Sequence, residues 1–465
     1  MRHLTATLLA CALLAALARP APPTTARGDM RLYLPLLTSP AVHASYLGSS
    51  GADALNAAAF DDSGQVLLAG VHAGATIGGR APQLLPGGDG FVARLDPGGR
   101  SVVAAARVGG VVRDMEPAGD TVLVCGDFGI ATLTSSLDAI LWSDTPGDVS
   151  RCAADAEGTA ALVGSTIYHY AADGTSRTSW TVPGTRAEDV AIDDASGLVF
   201  VTGYTQKTSV LKVAYLRAYA PDGSLRWVAY DFAADALIAA GLTADSEGRR
   251  LALGADGKLY FAGFADGGNA LYGRDPRDLA RTLGADRLIK FDRYNDPYNI
   301  SGAKSLAWYG RFEPTTGELL LGQWLLTRLS DGKGNSIGVR AIAADAAGNV
   351  ALAGDAYAFM EGRAGMRFAN VTLGSYEGGE PYLLLVSPDF RARRLWTTFA
   401  ASETSAGGSP ATAVALAGGQ LTLAATLNPR SSGPARGLVT TAGALQPANA
   451  SPGATEGYLV QMSLP

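Results

Sequence analysis

The sequence predicts an all-β protein built as a closed ring of repeated four-stranded sheets. Glycine and proline account for 58 and 23 of the 465 residues and follow no collagen period, which is typical of a chain with many tight turns. A hairpin motif also recurs along the chain at irregular intervals. Finally, the last repeat lacks one strand, which the start of the chain can supply.

The repeated motif is an alanine-rich strand, a turn containing Asp and Gly, and an apolar strand that ends in glycine. Two clear copies are AAAFDDSGQVLLAGV from Ala57 and AIAADAAGNVALAGD from Ala341. The Asp side chain can accept hydrogen bonds from its own turn and the Gly can adopt positive φ, as a tight hairpin requires. The copies end at Gly70, Gly126, Gly164, Gly203, Gly263, Gly354 and Ala425. These intervals vary too much for a solenoid and suit propeller blades with loops of different lengths.

A second hairpin follows most copies and completes a four-stranded unit. The last strand of successive units holds five of the six tryptophans, Trp142, Trp180, Trp227, Trp324 and Trp396. A recurrent aromatic residue indicates packing between blades rather than ligand binding. We therefore predict a seven-bladed β-propeller of four-stranded antiparallel blades, with strands named A to D in each blade. An eighth blade, within the long interval between Gly263 and Gly354, is the alternative.

The two ends of the propeller predict how the ring closes. Residues 457–465 match strand C of the first blade, after which the chain stops without a strand D. Residues 43–50 precede the first strand A and resemble a strand D, so we expect them to complete the last blade. This pairing removes two exposed sheet edges, and a single propeller domain then spans residues 43–465.

The clearest repeat spans residues 45–74 and 87–100, with the phrases SYLGSSGADALNAAAFDDSGQVLLAGVHAG and GGDGFVARLDPGGR. In these residues the chain resembles the bacterial seven-bladed β-propeller repeat (SBBP) family of secreted proteins. The resemblance implies a propeller fold and export. It implies no catalytic residue, because the shared positions are turn and core positions.

The start of the chain predicts export. Residues 1–18 contain an apolar run that is too short to span a membrane and has the length of a signal-peptide core. Residues 19–42 are an unassigned linker, and no later apolar run could anchor the protein as a transmembrane helix. We expect a secreted protein, in the extracellular space, the periplasm or at the cell surface. Export would leave Cys125 and Cys152, which either form a disulfide or remain buried thiols.

Charge restricts the kind of partner. The chain has 37 basic and 43 acidic residues, a net charge of −6, and only 17% charged residues with no block of one sign. This composition excludes the basic surface that nucleic-acid binding requires. We expect a monomer whose partner is a protein or a glycan.

The longest variable segments predict which face binds the partner. Residues 74–88, 265–305, 358–380 and 428–456 all lie between strands B and C of their units. In a propeller these loops emerge on one face of the ring, together with the D–A links between blades. Because loops carry function on a rigid scaffold, we expect the ligand on this B–C face.

The largest insertion, residues 266–305, concentrates charged and aromatic residues. A short helix is predicted over residues 275–283, with Pro276 in its first turn. The candidate ligand-binding residues are Tyr272, Arg274, Tyr294, Tyr298 and Trp308, and the candidate Ca²⁺ ligands are Asp292, Asn295, Asp296 and Asn299. Aromatic rings can stack on a ligand and side-chain oxygens suit Ca²⁺, the one cofactor that the sequence suggests. The alternative is that the rings anchor the loop and the Asp and Asn residues form turns.

Two functional hypotheses follow, and the choice between an enzyme and a non-enzyme stays open. The sequence contains no H-E-x-x-H, G-x-S-x-G or P-loop motif, which favours a secreted or surface-associated binding protein without a catalytic site. The alternative is a carbohydrate-active hydrolase or lyase with paired carboxylates at the mouth of the channel. Asp235, Asp331 and Glu403 are the candidate carboxylates for that alternative.

Overall fold

The computed structural model describes residues 42–80, 82–373, 376, 378–400, 408–429 and 437–464. Within these ranges the chain forms seven principal antiparallel sheets that follow one another along the sequence. The prediction of a seven-bladed β-propeller is therefore confirmed. The eighth blade is wrong, because the interval between Gly263 and Gly354 holds the outer half of blade 5, the inner half of blade 6 and short two-stranded hairpins.

Strands A to D of each blade run from the central channel to the outer rim. Blade 1 consists of Ala54–Phe60, Val66–Val71, Gly90–Leu95 and Val102–Val108, with Gln83–Leu85 added parallel to strand D. Blade 2 consists of Val112–Ala118, Thr121–Gly126, Gly129–Thr134 and Ile140–Asp144. Blade 3 consists of Arg151–Ala154, Gly158–Val163, Thr166–Ala171 and Arg177–Thr181.

The remaining four blades have the same order. Blade 4 consists of Arg186–Ile192, Val199–Thr208, Leu211–Tyr219 and Leu225–Tyr230. Blade 5 consists of Ser246–Leu253, Leu259–Ala265, Leu306–Phe312 and Leu319–Leu325. Blade 6 consists of Ile337–Ala344, Val350–Ala356, Glu380–Val386 and Arg393–Thr398, and blade 7 of Ala411–Ala417, Gln420–Leu427, Glu456–Ser463 and His43–Leu47.

The two ends of the propeller share blade 7. His43–Leu47 pairs antiparallel with the strand Glu456–Ser463, in a register that places Ser45 opposite Leu459. All five residues of the first strand are buried. The predicted closure of the ring is confirmed. The predicted signal peptide, most of the predicted linker and residue 465 lie outside the described residues.

The tryptophans of strand D pack each blade against the next. Trp142, Trp180 and Trp227 lie against the turn glycines Gly174, Gly223 and Gly317 of the following blades, where an added Cβ would come within 3.0 Å of the indole ring. The indole N–H of Trp142 donates to the carbonyl of Ala172 at 3.0 Å, and that of Trp227 to Pro314 at 2.8 Å. The tryptophans in these three blades therefore have the predicted packing role.

A disulfide also joins two blades. Cys125 in strand B of blade 2 is bonded to Cys152 in strand A of blade 3, and both residues are buried. Of the two alternatives for this cysteine pair, the structure has the bridge. A loop of this size contributes about 3 to 4 kcal/mol by restricting the unfolded chain.

Connections outside the blades are short elements. An α-helix, Ala234–Ala239, links blades 4 and 5, and 3₁₀ turns occur at Leu271–Gly273, Arg293–Asn295 and Arg363–Gly365. Small hairpins pair Arg274–Asp275 with Asp278–Thr282, Thr327–Arg328 with Gly334–Asn335, and Arg367–Phe368 with Val371–Thr372. No helix within the described ranges is long and apolar enough to cross a membrane.

The predicted helix over residues 275–283 is wrong, because this segment forms a hairpin. The carboxylate of Asp275 accepts the backbone N–H of Arg277 at 3.0 Å, and that of Asp278 accepts the N–H of Ala280 at 3.0 Å. These bonds favour turns over a helix. A helix this short would also be marginal without tertiary contacts along one face.

The closing glycines of the repeat make room for a β-bulge in strand A. In six blades the A–B ladder skips one residue of strand A, and in blade 6 the skipped residue is Arg340. The bulge brings the carbonyl of Gly338 within 1.9 Å of the position that a Cβ on Gly354 would occupy. Gly70, Gly126, Gly203 and Gly263 meet a strand A carbonyl in the same way, at 2.4 Å or less. In these five blades the glycine accommodates the bulged carbonyl, whereas blade 7 has Ala425 opposite its bulge.

We expect Gly354→Ala to lower the free energy of unfolding by about 2 kcal/mol, because strand A or strand B must move to admit the methyl group. Urea unfolding followed by circular dichroism measures the change. Gly365→Ala is the matched control, since an added Cβ there meets no atom within 4 Å. Equal stability of the two variants would contradict the proposed role of the glycine.

Candidate functional site

The bulges place one polar side chain from each blade at the start of the channel wall. The skipped residues share this position although the surrounding strands are rich in alanine; they are Asn56, Arg113, Glu188, Arg249, Arg340 and Thr412. In blade 3 the equivalent residue is Ser150, whose N–H donates to the carbonyl of Leu162. We call these seven residues the bulge ring.

The bulge ring borders a cavity of about 500 Å³ at one mouth of the channel. Most of its residues line this cavity together with Arg151 and Arg250, which directly follow bulge-ring residues in strand A. Asp355, Tyr357 and Asn428, at or just beyond the ends of strands B, line the other side. Because strand A begins and strand B ends here, this mouth opens on the B–C face.

Several residues of the mouth bond the backbone of the next blade. Asn56 donates to the carbonyl of Val112 at 2.7 Å, and Thr412 donates to the carbonyl of Leu55 at 2.5 Å. The remaining bonds of this kind join Asp114 to the N–H of Cys152, Asp189 to the N–H of Leu251, and Arg250 to the carbonyl of Arg340. These side chains therefore hold neighbouring blades in register.

The arginines of the mouth differ in how well their charge is compensated. Arg151 lies 3.8 Å from both Asp114 and Asp189. Arg340 lies 3.1 Å from Asp355, and Arg113 pairs with Asp148. These three guanidinium groups each have a carboxylate partner.

Arg250 has a different environment. It donates to the backbone carbonyls of Arg249 and Arg340. Within the part of the chain that the structure describes, it has no carboxylate partner within ion-pair distance. Burial and the neighbouring Arg151 lower the pKa of its guanidinium to about 9, so the group is still charged at neutral pH. Asp189, Asp114 and Glu188 act on this charge from beyond ion-pair distance. The mouth therefore contains a guanidinium group that makes no direct ion pair among the described residues.

Carboxyl groups lie deeper in the channel, which has a volume of about 560 Å³ and is lined mainly by small residues of strands A. Confinement within the narrow channel, which removes much of the surrounding bulk water, raises the pKa of Glu116 to about 8, and the nearby charges of Asp114, Asp194 and Asp189 act in the same direction. The side chain of Glu116 remains open to water in the channel. Burial also raises the pKa of Asp189, to about 6. Such perturbed groups in a cleft are candidates for chemistry.

The aromatic residues predicted as ligand contacts in the blade 5 insertion are mostly buried. Tyr272 stacks on Trp308 with ring centroids 4.8 Å apart, and its hydroxyl donates to the carbonyl of Glu247 at 2.8 Å. Tyr294 packs edge-on against Trp396 of blade 6 at 5.1 Å. These rings anchor the insertion to the propeller, which was the alternative interpretation of the sequence.

Two of the four candidate Ca²⁺ ligands contact a guanidinium group. Arg393 of blade 6 donates to Asp292 at 2.7 Å and to Asn295 at 3.2 Å. Asp292 also accepts the N–H of Tyr294 at 2.7 Å, and the amide of Asn295 donates to the carbonyl of Trp324 at 2.8 Å. The oxygens of Asp292 and Asn295 thus already have a cationic partner.

The other candidates of the insertion lie nearer the surface. Asp296 pairs with Lys290 at 2.8 Å, Asn299 is exposed, and Arg274 donates to Thr282 at 2.8 Å. Tyr298 is 64% exposed and, with Asn299, borders a second cavity of about 640 Å³. Among the described residues no group of three or more His, Cys, Asp or Glu side chains is placed to hold a metal. Calcium binding stays a prediction.

Of the carboxylates named for an enzyme, the two that the structure describes, Asp235 and Asp331, do not line the mouth cavity. Asp235 lies on the helix Ala234–Ala239, and exposed Asp331 pairs with Lys333 at 3.2 Å. Glu403 lies outside the described residues. The carboxyl groups that do border the channel, among the described residues, are Asp62, Asp114, Glu116, Asp189 and Asp194.

Sequence reasoning missed the bulge ring, although the repeat carries a signal for it. Asn56, Ser150 and Arg340 each precede a turn aspartate, Asp61, Asp155 or Asp345, by five residues. The sequence alone shows this polar residue at a constant distance from the turn, within an alanine-rich strand. The sequence does not show the bulge that directs these residues to one ring.

The fold and the mouth define a seven-bladed β-propeller with an arginine-rich channel entrance. Comparisons with protein-family models and with curated protein sequences found no match to this chain. The resemblance to the SBBP repeat therefore stays a prediction.

Glu116 should make stability depend on pH in a defined direction. Its pKa is raised from 4.5 to about 8 in the folded protein, so between these values the unfolded chain has released a proton that the folded protein keeps. The contribution of Glu116 to the free energy of unfolding is therefore fully present below pH 4.5 and is lost as pH rises toward 8. We expect Glu116→Gln to gain stability relative to the wild type over that range, measured as the difference in melting temperature. Parallel melting curves across the range would contradict the assignment.

Proposed function

We propose that this protein is a secreted or surface-associated binding propeller that holds a glycan or a protein at the channel mouth on its B–C face. The observation that carries the proposal is the mouth itself. Five of the seven bulge-ring residues, together with Arg151 and Arg250, line a cavity within the size range of ligand sites. Because these residues lie on strands rather than on loops, their positions are set by the scaffold.

The guanidinium of Arg250, which makes no direct ion pair among the described residues, supports binding at this mouth. A partly buried cation without a carboxylate partner is costly for a stable protein, and structures usually tolerate such groups at sites where they act. By contrast, the insertion of blade 5 uses most of its conspicuous residues to pack against blades 5 and 6. The mouth is therefore the better candidate for the ligand site.

Two features support an exported protein. Residues 1–18 have the composition of a signal peptide. The pairing of Cys125 with Cys152 suits an oxidising compartment, where disulfides form and persist. We propose the extracellular space, the periplasm or the cell surface as the location.

A variant with an obstructed mouth tests the proposal. We expect glycan and peptide arrays probed with the wild-type protein to give a ligand, and Asn428→Trp to lose it because the indole occupies the cavity. Leu141→Trp is the matched control, since Leu141 is exposed in the outer strand of blade 2. A ligand that binds both variants equally, or arrays without any binder, would overturn the proposal.

A hydrolase or lyase acting on a polysaccharide is the second candidate, and the channel carboxyl groups favour it. Glu116, with its pKa of about 8, is protonated at neutral pH and could donate a proton to a departing sugar oxygen. Asp114 and Asp189 lie on either side of Arg151, on the side of Glu116 toward the mouth. A proton donor with a second carboxyl group nearby is the arrangement that glycoside cleavage uses.

Turnover assays distinguish this candidate. If the protein is an enzyme, Glu116→Gln should lower the release of reducing ends or unsaturated sugars from a polysaccharide panel about a hundredfold. Asp62→Asn, a carboxylate variant near the other end of the channel, should leave turnover unchanged. Wild-type protein that cleaves none of the panel, or a Glu116→Gln variant with full activity, would reject the enzyme.

A further inference from the structure

We infer that the ligand of the channel mouth is an acidic oligosaccharide whose carboxylate or sulfate groups pair with the mouth arginines. This inference rests on the proposed binding function and specifies its ligand. It follows from the charge of the mouth, from the bonds that its arginines already make, and from the polarity of the lining.

Positive charge predominates at the mouth. Four arginines line the cavity, Arg113, Arg151, Arg250 and Arg340, whereas Asp355 is the one carboxylate among its described lining residues. Asp355 is almost fully buried and lies beside Arg340, whose own side chain is 50% exposed. The guanidinium of Arg340 can therefore keep this bond and still present N–H groups to the cavity.

Arg113 is available in a similar way. Its side chain is 35% exposed, and its partner Asp148 is 62% exposed. An ion pair this close to water contributes little to stability, so a ligand anion can replace or share it at small cost. Arg113 and Arg340 thus offer two guanidinium groups from blades on different sides of the cavity.

Arg250 supplies the third guanidinium group. Its environment is also the reason that we expect an anionic ligand. Its N–H groups donate to main-chain carbonyls, which offset part of the cost of removing the guanidinium from water but do not neutralise its charge. Asp189, Asp114 and Glu188 act on this charge only from beyond ion-pair distance, and a carboxylate or sulfate in the cavity would provide a directly bonded anion. Charge-assisted bonds of this kind are the strong ones, and arginine pairs with planar or tetrahedral anions through two N–H groups at once.

The rest of the lining favours a sugar over an acidic peptide. Apart from Val111 and Pro410, most side chains around the cavity bear hydroxyl, amide or charged groups. Tyr357 is 46% exposed, and its ring is available to stack on the apolar face of a sugar. A peptide would bury apolar side chains here without apolar partners. Sugar hydroxyls, in contrast, match the donors and acceptors of Ser150 and Asn428.

Binding measurements with defined probes test the inference. Isothermal titration calorimetry is carried out with oligogalacturonate, which bears carboxylates, sulfated dextran oligomers, neutral dextran oligomers and polyglutamate. We expect one of the two acidic sugars to bind, neutral dextran and polyglutamate to bind much more weakly, and affinity to fall as salt is raised. The preferred acidic sugar then identifies carboxylate or sulfate as the recognised group.

Charge variants connect the binding to the mouth. Arg113→Gln and Arg340→Gln should each weaken the acidic sugar about tenfold, because each removes one charge-assisted contact. Arg226→Gln, on the exposed outer strand of blade 4, should have no effect. Asp148→Asn should tighten binding severalfold, since it frees Arg113 from its exposed partner. Melting curves verify that each variant is folded.

The outcomes separate this inference from the proposed function. If Asn428→Trp abolishes binding of a ligand that Arg113→Gln and Arg340→Gln leave intact, the mouth is the binding site but the acidic ligand is wrong. If the protein prefers neutral dextran or polyglutamate to the acidic sugars, the acidic-sugar inference is wrong but the proposed binding function is not. If an acidic sugar binds and Asn428→Trp does not weaken it, the proposed site fails as well.

Discussion

The pairing of His43–Leu47 with Glu456–Ser463 is the constraint on which the structure depends. An open row of seven sheets would leave one sheet edge exposed at each end, and the seven strands A would not surround a common axis. Once the ends share blade 7, each strand A faces the same channel, and Trp142, Trp180 and Trp227 each pack against the following blade. The channel and its mouths are thus consequences of closure.

A second device, the β-bulge opposite a closing glycine, converts the ring into a binding surface. It turns residues such as Arg340 toward the mouth, while the glycine at position 354 avoids a collision with the bulged carbonyl. Side chains there have two roles. Asn56 bonds the backbone of the next blade, and Arg250 does so as well while its guanidinium makes no direct ion pair. The same few residues of strand A therefore stabilise the contacts between blades and line the proposed binding site.

The insertion of blade 5 has a structural role that its composition conceals. Residues 287–289 bond Gly322 in the outer strand of blade 5 and cover an edge that would otherwise be open. Arg393 of blade 6 then fixes the insertion through Asp292 and Asn295, and its guanidinium lies over the rings of Phe291 and Tyr294. A loop rich in charge and aromatics was the natural place to expect a ligand, yet most of these groups satisfy one another.

The sequence by itself determined the blade, the number of blades and the closure, because each depends on local patterns: turn residues such as Asp61, alternating apolar strands, and a missing strand at one end. It also predicted that the longest loops lie between strands B and C. Only the tertiary structure decided that Tyr272 and Trp308 are buried, that residues 275–283 form a hairpin, and that Cys125 reaches Cys152. It alone brought the mouth arginines together. Their contacts join residues of different blades, and distances across a ring are set by how sheets pack rather than by any pattern along one strand.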